Sequence, residues 1–292
     1  MDERRVKRMS LTSLVLRYAA RIPRLESMDR FLFVGPHPDD IEIGAGATAA
    51  KLVKAGRKVA FLICLDGRYG DGLSGGVKGD ALALLRRKET VEGAAALGVT
   101  QVFFLGRKKE GDPIRALTAK QMESAEPLCD GGFYAQEDLV QGIGAAAAAF
   151  QPDVIFGPDP FSRSECHADH LNVGNAVRKV ACFAPYPGIM ERILPSGEKE
   201  GRVSALVRAV AFYMTARPNQ YVRTSRELTE TQFRAIVAHG SQFPADSEEF
   251  GSVRTYLRLR SLDFGLRRLR LHAEGFRVYG QTQMHCLPEA GE

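Results

Sequence analysis

From residue 31 to residue 215, short apolar runs alternate with segments of helical period. Phe31-Leu-Phe-Val34 is a continuous apolar run, the pattern of a strand buried on both faces. Residues 44–55 read as a helix stopped by Gly56, 58–65 as a second strand, 81–97 as a helix stopped by Gly98, and 101–105 as a third strand. An alanine-rich helix follows at 137–150, a fourth strand at 153–156, a helix at 170–183 and a fifth strand at 209–215. This alternation predicts an α/β fold, a Rossmann-like and mostly parallel sheet with helices on both faces. Ligands in such sheets bind outside the carboxyl ends of the strands, so the residues after Val34, Leu65, Leu105 and Phe156 are the places to look for chemistry.

Three stretches break the rhythm. Residues 107–136 have weak periodicity, a Gly-Asp-Pro turn at 111–113 and the pair Gly131-Gly132, and read as a loop or cap beside the site. Residues 185–201, rich in proline, glycine and charge, read as a surface excursion. At the start, Leu11, Leu14, Val15 and Tyr18 share one face of a basic amphipathic helix; Arg17 interrupts the apolar core that a signal peptide needs. The expected division is an N-terminal helix at 1–29, one domain at 30–280 and a tail at 281–292.

Composition narrows the class. The chain of 292 residues is 45% hydrophobic and 26% charged, which excludes disordered, collagenous and membrane-spanning classes. Five cysteines without a CxxC pair argue against a disulfide framework and for a reduced, cytoplasmic compartment. The net charge of +5 permits an anionic partner without arguing for one. The chemistry concentrates in two loops: Gly35-Pro-His-Pro-Asp-Asp-Ile-Glu-Ile-Gly44 after the first strand, and the stretch running to His167-Ala-Asp-His170 after the fourth. Three of six histidines fall there. His37, Asp40 and His170 form a two-imidazole, one-carboxylate set that suits a divalent metal with an open water position. Asp39 and His167 then stand beside it as base and electrophile, the parts of a metal-assisted hydrolase. Asp66 and Arg68, after the second strand, could meet sugar hydroxyls or simply hold a turn.

The alternative is a non-catalytic nucleotide- or nucleic-acid-binding protein on a Rossmann-like fold. Gly44-x-Gly46-x-x-Ala49 with Asp66 about 20 residues later matches a dinucleotide fingerprint, but the histidine loop separates these glycines from the strand. They are expected to let a helix approach the sheet. Arginines from Arg254 to Arg277 carry no recognition motif; a solvated helix face or subunit contact is the expectation, with the intervening leucines as core. His239 is expected to cap or pack a helix end, and Cys166 lacks the geometry for a nucleophile beside His167.

With these residues in view, the chain resembles the LmbE/PIG-L family of zinc-dependent de-N-acetylases, which includes deacetylases of N-acetylglucosaminyl conjugates and of diacetylchitobiose. The resemblance rests on the Pro-His-Pro-Asp-Asp loop with Glu42-x-Gly44 and on the His-x-Asp-His loop. Arg86-x-x-Glu89, Leu65-Asp-Gly-Arg-Tyr-Gly70, Ala238-His-Gly-Ser-Gln242 and Ala273-Glu-Gly-Phe-Arg277 support it. It implies Zn2+ held by His37, Asp40 and His170, or another divalent metal in its place. It also implies Asp39 as general base toward water, His167 as a cationic oxyanion donor able to protonate the leaving amine later, and Asp169 as the carboxylate that orients a neighbouring histidine. The implied reaction removes the acetyl group from an N-acetylated amino sugar or sugar conjugate, with a small-molecule substrate, no nucleic acid and no transmembrane segment. Membrane contact through the N-terminal helix is not expected, and a homo-oligomer is compatible. Two departures stand out: Ala168 replaces the usual proline, and Glu165-Cys166 occupies a stretch where some members carry a tyrosine donor.

Overall fold

A computed structural model describes residue 15 and residues 20–72, 75–194 and 202–286. The alternation of short apolar runs with helices becomes a nine-stranded sheet. Its strands are β1 (Arg30–Gly35), β2 (Lys58–Ile63), β3 (Gln101–Arg107), β4 (Arg115–Thr118), β5 (Glu126–Pro127), β6 (Val154–Pro158), β7 (Ala209–Tyr213), β8 (Gln220–Arg223) and β9 (Ala273–Gly280). The helices are α1 (Asp40–Lys54), α2 (Gly79–Ala96), α3 (Gln136–Phe150), α4 (Ala168–Phe183), α5 (Pro187–Ile193), α6 (Arg226–Val237), α7 (Glu248–Leu266) and α8 (Gln281–His285).

The sheet order is β4-β3-β2-β1-β6-β7-β9-β8, with β5 also on β3. Strands β3, β2, β1, β6 and β7 are mutually parallel, whereas β4, β5 and β9 pair antiparallel to their neighbours. Side chains along β1 divide between two cores. Leu32 and Val34 join the core under α3 and α4, while Phe31 and Phe33 join the one that α1 and α2 complete. Both faces are covered, which is why the central strands read as unbroken apolar runs.

Chain direction across the sheet reverses between β1 and β6. From β1 the chain works outward to β2 and β3, then returns and continues on the other side through β6 and β7. This is a topological switch point, where crossovers leaving to opposite sides open a crevice at the carboxyl ends. The two histidine-bearing loops are the ones that follow β1 and β6.

Several expectations change here. Residues 107–136 are not a structureless cap: they fold back as β4 and β5 on β3 and bring the turn at 129–133 toward the crevice. Within 185–201, residues 187–193 form α5, whose Met190 is fully buried; residues 195–201 lie outside the described ones. Among the leucines near the arginine series, Leu257 is core, but Leu259, Leu262, Leu266, Leu269 and Leu271 are exposed. Those positions fall on the side of α7 and its following turn that no described element covers. The N-terminal helix expected at 1–29 falls largely outside the described residues, although Val15 is helical and exposed. Leu25–Ser27 form a 3-10 turn just ahead of β1.

Candidate metal centre and its supporting residues

Gly44 explains why the dinucleotide fingerprint misleads. It lies inside α1, and a Cβ there would stand 2.3 Å from the Tyr213 ring. The glycine therefore lets α1 lie against β7, where the Tyr213 hydroxyl donates to the Val34 carbonyl at 2.7 Å. The turn after β1 is made instead by Pro36–Asp39, and Asp39 takes φ +105°. A non-glycine residue in that region stores strain that its surroundings must hold. Arg86, buried on α2, does so: its Nη2 donates to the Pro38 carbonyl at 2.7 Å and to Asp39 Oδ2 at 2.8 Å. Its Nη1 donates to the Gly67 carbonyl at 3.0 Å.

His37, Asp40 and His170 meet at the switch point, with one ligand atom of each within 4.8 Å of the others. His37 Nδ1 lies 3.1 Å from Asp40 Oδ2, and His170 Nε2 lies 3.4 Å from Asp40 Oδ1. The far nitrogen of each imidazole faces a carboxylate: His37 Nε2 donates to Asp169 Oδ2 at 3.0 Å, and His170 Nδ1 donates to Glu165 Oε2 at 2.9 Å. Such carboxylate–imidazole pairs fix the tautomer and aim the other nitrogen at a metal.

A second set, His37, His167 and Asp169, is also close enough to hold an ion. Hydrogen bonding decides against it. Asp169 Oδ2 accepts from Gly131 N–H and His37, and Oδ1 accepts from Gly132 N–H and the Tyr134 hydroxyl, at 2.7–3.0 Å. With both oxygens doubly engaged, Asp169 is a positioning carboxylate. The donor set of His37, Asp40 and His170 fits a divalent cation by its chemistry: two neutral-capable imidazoles and one carboxylate.

Electrostatics agree. Burial opposes protonation of His37, but hydrogen bonds to Asp169 and then Asp40 outweigh it and raise its pKa to about 10. Burial alone would raise the Asp40 carboxyl; the His37 hydrogen bond and the His170 charge hold it down at about 2. Asp39 moves the other way, pushed up to about 6 by burial, with Arg86 opposing. Its Oδ2 is taken by Arg86, while Oδ1 has no partner among the described residues and is not sealed from solvent. One oxygen is anchored and the other is free to accept a proton.

His167 caps α4: its Nδ1 accepts the Asp169 N–H at 3.3 Å, so Nε2 carries the proton. Its ring stacks on His170 at 4.7 Å, and half of the side chain is exposed. Burial, then the charges of His37 and His170, lower its pKa. The histidine that Asp169 orients is thus His37, with His167 Nδ1 at 3.9 Å. His167 keeps its Nε2–H free of the helix cap.

Asp66 and Arg68 turn toward each other. Arg68 Nε donates to Asp66 Oδ2 at 2.7 Å and Nη1 pairs with Asp80 at 2.8 Å, and Asp66 is nearly buried. Asp66 N–H donates to the Leu128 carbonyl, which ties this turn to the 129–133 segment. His239 is fully buried with Nε2 3.4 Å from Glu42, while Glu89 accepts from Ser241 N–H and Oγ. Motif residues from three distant stretches thus join in one polar layer behind Asp39. Cys166 is exposed, its thiol 3.6 Å from the Ser164 carbonyl.

Sequence reasoning missed Glu165, Tyr134 and the Gly131 and Gly132 N–H groups. Glu165 carried a usable signal, a carboxylate five residues before a candidate histidine ligand. The others arrive from a segment of weak periodicity. Glu165→Gln and Asp169→Asn are each expected to weaken metal binding by about 10- to 100-fold, measured by competition with a chromogenic chelator, because each removes the charge that holds an imidazole. Unchanged affinity in both would deny these carboxylates their role.

Comparison with known proteins shows the family. The family described as PIG-L: GlcNAc-PI de-N-acetylase matches residues 32–181, which contain both loops. Diacetylchitobiose deacetylase of Thermococcus kodakarensis is 31% identical over 261 residues, covering 89% of this chain and 87% of that protein. 1D-myo-inositol 2-acetamido-2-deoxy-alpha-D-glucopyranoside deacetylase of Kineococcus radiotolerans is 28% identical, covering 73% of this chain and 59% of that one. Among solved structures, N,N'-diacetylchitobiose deacetylase of Pyrococcus horikoshii superposes with TM-score 0.75 at 27% identity, over 94% of this chain and 92% of that chain. GalB, a 4-carboxy-2-hydroxymuconate hydratase of Pseudomonas putida, superposes with TM-score 0.61 at 17% identity over 86% of this chain and 96% of that one, a likeness of fold alone. With both loops inside the matched region and similarity running over most of the chain, the protein belongs to the PIG-L (GlcNAc-PI de-N-acetylase) family.

Proposed function

We propose that this protein hydrolyses the acetamide of an N-acetylated amino sugar or sugar conjugate, releasing acetate and the free amine. The observation that carries the reading is the pair of carboxylate-held imidazoles aimed at Asp40, with Asp39, the residue before Asp40, keeping one carboxylate oxygen free. His37, Asp40 and His170 would hold a divalent metal, with zinc the expected ion. When bound, it supplies Lewis acidity to a carbonyl and lowers the pKa of water.

The chain's own residues do the rest. Asp39 takes a proton from water through Oδ1 while Arg86 keeps Oδ2 fixed. His167, held by its Nδ1 contact, presents Nε2–H to the oxygen on which negative charge develops. The proton held by Asp39 then passes to the departing amine. The turn at 129–133 lies beside the site through its N–H contacts to Asp169, and Phe133 there is largely exposed and packs edge-on against Tyr69. These rings make an apolar face for a sugar ring.

An acetate-release assay on metal-analysed protein, run across free N-acetylglucosamine, N,N'-diacetylchitobiose and inositol-linked N-acetylglucosamine, tests the reading. Stoichiometric acetate and primary amine from at least one of them is the expected result. Failure on all of them with a full complement of metal would overturn it.

A further inference from the structure

Away from the metal centre, the segment at 20–26, the chain at 217–223 and the turn around residue 270 enclose a cleft of about 980 Å3. None of its lining residues belongs to the loops that follow β1 and β6. Arg24, Arg217, Arg223, Arg268 and Arg270 line it, and all five are exposed. Among the described residues none of the five has an ion-pair partner. Among the described residues the one carboxylate lining the cleft is Glu26, and it is bound to Lys51 at 2.5 Å. Neighbouring arginines do find carboxylates, as Arg258 does with Glu230 and Arg267 with Asp263. Like charges gathered around one cavity repel, and an anionic partner is what offsets that cost.

Beside the cleft, the chain turns apolar side chains into water. Leu269 is 89% exposed and Leu271 71%, and they alternate with Arg268 and Arg270. Leu269 sits at the tip of a turn with φ +54°, and Arg268 is ordered against the Tyr221 ring, 5.1 Å from its centroid. On α7, Leu259, Leu262 and Leu266 follow at helical spacing and form an exposed stripe. A soluble phosphate ester would satisfy the guanidinium groups and leave these leucines hydrated. A second copy meeting this face about a twofold axis would bring five cations against the same five. An anionic bilayer surface satisfies both features, with arginines on phosphates and leucines in the acyl boundary.

We propose that the arginine-lined cleft and its leucine rim dock the protein on an anionic phospholipid surface. The contact is peripheral, since no helix among the described residues is long and apolar enough to cross a membrane. It does not depend on the hydrolytic reading, and turnover of a soluble substrate serves only as a check that variants are folded.

Co-sedimentation of the full chain with vesicles of phosphatidylcholine, or of an equal mixture with phosphatidylglycerol, tests the proposal. Binding is expected to the mixed vesicles only. Arg268→Ala/Arg270→Ala should lower the partition coefficient about fivefold per arginine, from about 1 kcal/mol each. The charge-neutral Leu269→Ser/Leu271→Ser should lower it by roughly tenfold or more per leucine. Both variants are expected to keep wild-type circular dichroism. Absence of binding, or binding indifferent to both variants, would overturn the proposal. So would displacement by inositol hexakisphosphate with no effect of the leucine pair, which would mark a site for a soluble polyanion. A leucine variant that changes the solution mass by light scattering, but not vesicle binding, would mark a contact between copies instead.

Discussion

Asp39→Asn is expected to lower kcat by about 100-fold or more while metal content and fold stay intact, the scale of losing a general base. The substitution suits the site sterically, because asparagine is among the residues that best tolerate positive φ, and Asp39 sits at φ +105°. Its amide oxygen can still accept from Arg86, so the loop after β1 keeps its anchor. The pH profile separates this role from a structural one. Asp39 acts ionised, and burial places its carboxyl at about 6 with Arg86 opposing. Activity should therefore fall as pH drops through 6 or somewhat below, since a cation on the neighbouring ligands pulls the carboxyl down. The asparagine variant should lack that acid limb. Should Asp39→Asn strip the metal while Asp40→Asn keeps it, the two aspartates have exchanged roles.

The second large effect belongs to the ligands. Purified protein should carry about one divalent ion per chain, and His170→Ala or Asp40→Ala should lose it together with nearly all turnover. Proton linkage makes the prediction sharper. His37 holds a proton up to about pH 10 between Asp169 and Asp40, and a metal at Nδ1 must displace it. Metal binding at neutral pH should therefore release about one proton, and apparent affinity should rise about tenfold per pH unit below that value. Calorimetry in buffers of different ionisation enthalpy measures the proton count directly. Full metal retention in the His37→Ala/His170→Ala double variant would remove both residues from the ligand set.

The exposed leucines show a different kind of limit on reading sequence. Leu257 and Leu259 stand two apart in one helix, in the same company of arginines, yet one is core and the other solvated. Period alone says that such a helix has two faces. Which face meets the sheet depends on where α6 and β9 lie, and that is set by chain crossings far from α7.

The parallel strands, their helices and the two loops of chemistry were legible from local order alone. A buried parallel strand must be apolar throughout, and a metal site at a strand end must gather histidine and carboxylate within a few residues. His37, Asp39 and Asp40 therefore stand together in one stretch of sequence, and His170 stands in the second loop. Tertiary structure alone decided how they are held. Arg86 reaches Asp39 across 47 residues, Gly131 and Tyr134 reach Asp169 across 38 and 35, and His239 meets Glu42 from the far end of the chain. Nothing in those separate stretches says which residues they meet, because hydrogen bonds between separate elements depend on distances in space that only the closed sheet creates.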